Sequence, residues 1–266
     1  MDLKLITKKG VATITLNRPE KRNAINKTIR DGLIKAMVKI ESDEEIKVVI
    51  LTGAGTKSFS SGADLFETKS RKPFEKRYQV KNEAANTIRN CSKPVIAMMK
   101  GYVLGGGLEM ALASDIRIAA DNTILGFPEI KRGWIPAGGG GTQVLPRLVG
   151  EGNAMRLILG GEFIEAKEAL RIGLVDIVYP LEELEKEVYN LAEKMTTRRL
   201  QALQLGKSAI KLASRTNLDI GLEYEKELIT LCYTFPDREE GIQAFKEGRD
   251  TPTLMKTNEA RSDYND

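Results

Sequence analysis

Two spacings of apolar residues divide the chain. Residues 11–16 (VATITL) alternate apolar with polar positions and are rich in β-branched side chains, which predicts a strand. Asn17-Arg18-Pro19 breaks it, and Asn26 is placed to cap a helix running to about Ser42. Residues 48–52 (VVILT) and 94–99 (PVIAMM) are continuous apolar runs, as expected of buried strands, and 115–120 (DIRIAA) is a further short one. The first run stops at Gly53-Ala54-Gly55 and gives way to a loop through Phe59 to Leu65. The second leads through Gly101 to Gly105-Gly106-Gly107, which opens a helix through Ala113. Residues 1–10 read as a charged lead-in with no secretory leader, and 66–90 as a solvated, charged helix over a site. This order of strands and helices is an α/β pattern of short repeated units. After Thr142 the spacing turns mostly helical. Amphipathic helices are expected at 182–196, 200–214 and 218–230, another at 239–248, and a frayed tail from Arg249.

Composition narrows the chemistry more than the fold. With 266 residues, 41% of them hydrophobic, the chain can fill a full core. Its 41 basic and 37 acidic residues leave a net charge of +4, a mild bias toward anionic ligands and too little to argue for nucleic acid. Cys91 and Cys232 lie far apart without metal-type spacing, which suits two ordinary thiols in a reducing compartment. No apolar run approaches the roughly 18–20 residues of a membrane span, so a soluble, cytoplasmic protein is expected. Histidine is absent. Ser-His-Asp triads, histidine-containing zinc sites and imidazole bases are therefore excluded. Acid–base work falls to carboxylates, lysine, tyrosine or backbone groups.

The glycine-rich loops are not nucleotide loops. In Gly53-Ala54-Gly55-Thr56-Lys57-Ser58 a threonine separates glycine from lysine, so a tight turn after a strand is the better reading. Gly105-Gly106-Gly107 does not extend to a dinucleotide fingerprint, because Met110 stands three positions later. Its N–H groups at a helix start could hold an oxyanion, or its glycines could serve a tight turn packed on a strand. Ser60-Ser61-Gly62-Ala63-Asp64-Leu65, at a strand–helix junction, could supply a second donor, and Asp64 could cap the helix that follows.

Two carboxylates stand in apolar surroundings. Glu109 is flanked by Leu108, Met110, Ala111 and Leu112 in the first turn of the helix after the triplet. There it could favour the helix dipole, or serve as an acid or base of raised pKa. Glu129 follows Phe127-Pro128 and precedes Ile130, and could pair with Lys131 or Arg132 instead of doing chemistry. Without histidine, the two form the leading acid–base pair.

In order and spacing, the strings LNRPEKRNAIN, FSSGADL, KPVIAMMKGYVLGGGLEMALASDIRIA, LGFPEIKRGWIP, GGTQVLPRLVG and EALRIGLVDIV resemble the crotonase (enoyl-CoA hydratase/isomerase) superfamily. The likeness runs from Ile14 to about residue 250. It implies an α/β spiral of ββα units over residues 1–195, carrying the CoA-thioester site, and a helical region over 196–266 that forms a homotrimer or a pair of trimers. It also implies an acyl-CoA thioester substrate and no cofactor beyond the CoA it carries, with neither nucleic acid nor membrane as a partner. Backbone N–H groups of Ala63 and Gly106 would form the oxyanion hole. Arg22 and Ala24 would lie along CoA, and Ser61, Gly62, Asp64, Leu65, Gly105, Pro136 and Gly138 would line the thioester site. Glu109 and Glu129, twenty residues apart, would hold the water added across a 2-enoyl double bond, with their separate roles open. Keeping both carboxylates favours hydration over Δ3-Δ2 isomerisation, and a cyclic or branched acyl group stays open. The mild positive charge is all that supports a non-catalytic CoA- or RNA-binding scaffold. One stretch departs from the family pattern. Five residues, Ala137 to Gly141, separate Pro136 from Thr142 where the usual stretch has four, which puts the pocket shape beside Glu129 and Trp134 in question.

Overall fold

The apolar runs become the centre of a six-stranded sheet in the computed structural model, which describes residues 1–67, 83–235 and 237–248. Strand order is β1 (Leu3–Lys8), β2 (Val11–Leu16), β3 (Val48–Gly53), β5 (Val95–Met99), β7 (Ile116–Ala120) and β10 (Ile177–Tyr179). Neighbours run parallel except β1 and β2. Every residue of β3 and β5 is buried. A strand covered on both faces has no polar side to alternate with, so its sequence is an unbroken apolar run.

A second sheet holds four three-residue strands, β4 (Ser58–Ser60), β6 (Tyr102–Leu104), β8 (Ile124–Gly126) and β9 (Phe163–Glu165). The chain alternates between the sheets, passing from β3 to β4, from β5 to β6 and from β7 to β8. Helix α2 (Glu83–Asn90) follows the first of these pairs and α3 (Gly106–Ala113) the second. This is the α/β spiral of ββα units. Gly101 makes the corner between β5 and β6 at φ +57°, where a Cβ would stand 2.2 Å from the Lys57 carbonyl oxygen. Only glycine fits that crossing.

Two expectations need correcting. Residues 1–10 are not a mere lead-in, since β1 pairs antiparallel with β2 from Leu3↔Leu16 to Lys8↔Val11. Only Leu3 of that strand is buried, so an edge strand left little apolar signal. The stretch read as a loop contains β4, and the region after Thr142 contains β9 and β10 as well as α4 (Gly141–Val149), α5 (Glu151–Leu159) and α6 (Ala166–Arg171). Three residues are too few to show a period.

Helix α1 (Lys27–Ser42) starts where its cap predicts, with Ile29 N–H donating to Asn26 Oδ1 at 2.8 Å. It buries Ile29, Leu33, Ala36, Met37 and Ile40. The later helices α7 (Leu181–Thr196), α8 (Leu200–Ala213), α9 (Leu218–Tyr233) and α10 (Asp237–Lys246) start and end within three residues of the expected ones. Residues 68–82 of the expected charged helix, and the tail from Arg249, lie outside the described residues. Contacts divide the chain into Met1–Ala192 and Glu193–Asp266. In the second unit Ile210, Leu218 and Phe245 are 76%, 74% and 86% exposed. Among the described residues, no helix is long and apolar enough to cross a membrane.

Asn23 clamps the loops beneath the future site. It is fully buried at φ +54°, and its Nδ2 donates to the carbonyls of Ala54 at 3.0 Å and Ser58 at 2.8 Å. Its Oδ1 accepts from Arg18 N–H at 3.0 Å, and its own carbonyl accepts from Ser60 Oγ at 2.9 Å. Asparagine tolerates the left-handed region and supplies both donor and acceptor. Asn23→Ala is expected to destabilise the protein by about 2–4 kcal/mol, since it removes the partner of the buried Ser58 carbonyl and of two part-buried backbone groups and puts alanine at positive φ. A urea unfolding series that leaves the midpoint unchanged would refute this.

Candidate active site

Each glycine of the triplet answers a different demand. Gly105, at φ +53° and ψ −124°, makes the turn out of β6, and a Cβ there would stand 2.5 Å from Glu129 Oε1. At Gly107 a Cβ would stand 2.7 Å from both Cβ and O of Ser60, so α3 rests directly on β4. Gly106, the first helical residue, meets only ordinary contacts, the nearest being Ile25 Cδ1 at 3.5 Å and Ala63 N at 3.7 Å from a notional Cβ. The turn and the open N–H thus coexist in one triplet.

Ala63 is brought opposite Gly106 by pairing of its neighbours with the segment before α1. Ser61 N–H donates to Arg22 O, Ile25 N–H to Gly62 O and Asp64 N–H to Ile25 O, at 2.8–3.0 Å. Gly62 lies against the triplet, since a Cβ on it would sit 3.2 Å from Gly106 N. The exposed Ala63 N–H and the Gly106 N–H carry no hydrogen bond among the described residues. The second belongs to the N-terminus of α3, whose dipole favours negative charge.

The two glutamates are held in opposite ways. Glu109 is 4% exposed, and its Oε1 accepts from the N–H groups of Gly139 at 2.9 Å and Gly141 at 3.0 Å. Gly138 and Gly140 have φ of +102° and +111°, which turns these N–H groups inward as an anion-binding nest at the start of α4. Two donors on one oxygen suit an acceptor-only carboxylate. The glycine stretch after Pro136 therefore forms the loop that holds the first glutamate.

Glu129 has no such support. It lies in a short 3-10 turn, Pro128–Arg132, and its Oε2 is buried without a hydrogen bond. The salt-bridge alternative fails among the described residues, because Arg132 donates to the Pro128 carbonyl and Lys131 sits over the Phe163 ring at 4.9 Å. Burial first, and then the negative charge of Glu109, push the Glu129 carboxyl up to about 7. A carboxyl raised in the fold above its usual 4.5 favours the native state fully below that pH. That contribution drains away as pH rises through about 7. Glu129→Gln removes the titration and should gain roughly 2 kcal/mol relative to the parent between pH 5 and pH 8. Parallel stability–pH curves for the two proteins would contradict this.

The enoyl-CoA hydratase/isomerase family model matches residues 6–253. The chain belongs to this family. It is 40% identical over 248 residues to the short-chain-enoyl-CoA hydratase of Clostridium acetobutylicum, covering 92% of this chain and 95% of that protein. It is 38% identical over 252 residues to the (E)-benzylidenesuccinyl-CoA hydratase of Thauera aromatica, covering 94% and 97%. A solved enoyl-CoA hydratase from Bacillus anthracis superposes with a TM-score of 0.90 at 38% identity, over 95% of this chain and 98% of that one.

Within this enoyl-CoA hydratase/isomerase fold, the remaining expected site residues separate into two groups. Gly62, Ala63, Gly105, Gly106, Glu109, Glu129 and Gly138 converge on the triplet and its nest, and Pro136 is buried with its ring against Gly141. Arg22 and Ala24 lie on the neighbouring edge. The Arg22 guanidinium sits 5.4 Å over the Tyr102 ring, and the Ala24 carbonyl accepts from Arg18. Leu65 is 40% exposed. Asp64 takes Phe66 N–H, as a local cap would, and also an ion pair with Arg18 at 2.9 Å that holds its carboxyl below the usual range. Sequence reasoning missed Asn23, Arg18 and the paired donors Gly139 and Gly141. The run of glycines was visible, but which N–H groups point inward depends on backbone angles.

Proposed function

We propose that the protein adds water across the double bond of a 2-enoyl-CoA, reversibly, as an enoyl-CoA hydratase. The unequal treatment of two carboxylates beside one pair of open N–H groups carries this reading. The thioester oxygen would sit between Ala63 N–H and Gly106 N–H, where preorganised donors stabilise the charge of a forming enolate. Glu109, already accepting two N–H bonds, acts as base through its other oxygen and takes a proton from the water attacking C3. Glu129, raised to about 7, starts protonated in a large share of molecules at neutral pH and delivers its proton to C2. Each turnover leaves the pair inverted in protonation, and exchange with solvent resets it.

We assign binding and chemistry to residues 1–195, because every group named above falls there. Residues 196–266 we assign to assembly as a trimer or a pair of trimers, which the exposed Ile210, Leu218 and Phe245 support. The names of the relatives make a short linear acyl group the first to try and an aromatic one the second. Mixing the protein with crotonyl-CoA should bleach the conjugated enoyl-thioester absorbance and yield the 3-hydroxyacyl product. Inactivity on a panel of linear, branched and cyclic 2-enoyl-CoAs would sink the proposal. Conversion of a 3-enoyl-CoA to its 2-enoyl isomer without any hydroxyacyl product would replace it with isomerisation.

A further inference from the structure

Three peptide units in a row separate Gly138 from Gly141. The 138–139 and 140–141 units donate their N–H groups to Glu109 Oε1 at 2.9 and 3.0 Å. The unit between them offers its carbonyl, Gly139 O, which accepts a hydrogen bond from Nη2 of Arg89. Arg89 comes from a different element, α2, which packs against α3, the helix that carries Glu109. Its Nη1 donates to Asn86 Oδ1 at 2.9 Å one turn earlier, so the guanidinium plane is fixed from both ends. Space has been left for it. A Cβ at Gly140, φ +111°, would stand 2.7 Å from Nη2.

We propose that Arg89 is a positioning residue for Glu109, acting through the peptide of Gly139. A string of glycines has no side chains to lock its angles, and glycine carries the largest backbone freedom of any residue. The middle peptide links the two flanking N–H groups, so a rotation of it disturbs the geometry of both bonds to Glu109. One charged donor on the carbonyl of that middle peptide fixes its orientation, and with it the place of the carboxylate.

The inference rests on Glu109 serving as the base, and a double-mutant cycle on crotonyl-CoA hydration separates the two claims. Arg89→Met is expected to lower kcat by about 10–100-fold, the scale of a displaced catalytic group, while KM stays within about threefold. Arg89→Lys, which keeps a charged donor, should recover part of the loss. In a Glu109→Gln background, Arg89→Met should cost kcat nothing further, because the group it positions is already gone. A purely structural arginine would lower kcat equally in both backgrounds, and that result, or an unchanged kcat in the single variant, overturns the proposal. Should Arg89→Met fail to fold, Arg89→Gln is judged by the same criteria. If Glu109→Gln itself leaves turnover intact, the role of Glu109 fails rather than the link to Arg89.

Discussion

Glu109→Gln is expected to lower kcat for hydration by about 10²–10⁴-fold while leaving binding of the CoA ester within a few-fold of the parent. The amide oxygen can still accept from Gly139 and Gly141 N–H, so the nest and the fold are kept. What is lost is the second carboxylate oxygen, replaced by an NH2 that cannot take a proton from water. Glu129→Gln should fall by a similar factor for the opposite reason, since an amide has no proton to give to C2. The two losses should not add, because addition of water needs both groups in one step. Steady-state kinetics beside calorimetric titration with a non-reactive acyl-CoA distinguish this from a binding defect. Either single variant retaining more than a tenth of the parent kcat would remove that residue from the mechanism. The pH profile gives an independent check. An acid with its proton held up to about 7 should impose a falling limb near that pH on hydration, absent in Glu129→Gln.

Gly105→Ala and Gly106→Ala should both abolish most activity, yet differ in stability. Alanine at 105 would occupy φ +53° and ψ −124°, a region only glycine enters readily, at a strain of about 1–3 kcal/mol. Its methyl would also stand 2.5 Å from Glu129 Oε1, displacing the acid. Alanine at 106 suits the first turn of a helix and meets nothing closer than 3.5 Å, so α3 should form as before. Its methyl would nonetheless reach within 3.7 Å of Ala63 N, where the thioester oxygen belongs. Thermal unfolding should therefore fall clearly for Gly105→Ala and little for Gly106→Ala, while kcat/KM drops in both by at least about 10²-fold. Full activity in Gly106→Ala would contradict an oxyanion site between these two residues.

The contrast between these glycines marks the division between sequence and tertiary structure. The chain by itself determined what local pattern can encode. Unbroken apolar runs gave β3 and β5, Asn26 gave the start of α1, and amphipathic spacing gave the later helices within three residues at either end. It also removed histidine from the acid–base candidates, leaving carboxylates, lysine, tyrosine or backbone groups, and the ordered motif strings pointed to the family. The three-residue strands β4, β6 and β9 were illegible, because pairing with partners tens of residues away defines them rather than their own propensity. The difference between the two glutamates was illegible for the same reason. Both sit among apolar neighbours in the chain, and only the fold brings two N–H groups to Glu109 and buries an oxygen of Glu129 without a partner among the described residues. Hydrogen bonding and desolvation are set by whatever approaches in space. Here the approach was made by a glycine loop thirty residues further along, whose inward and outward groups no composition could reveal.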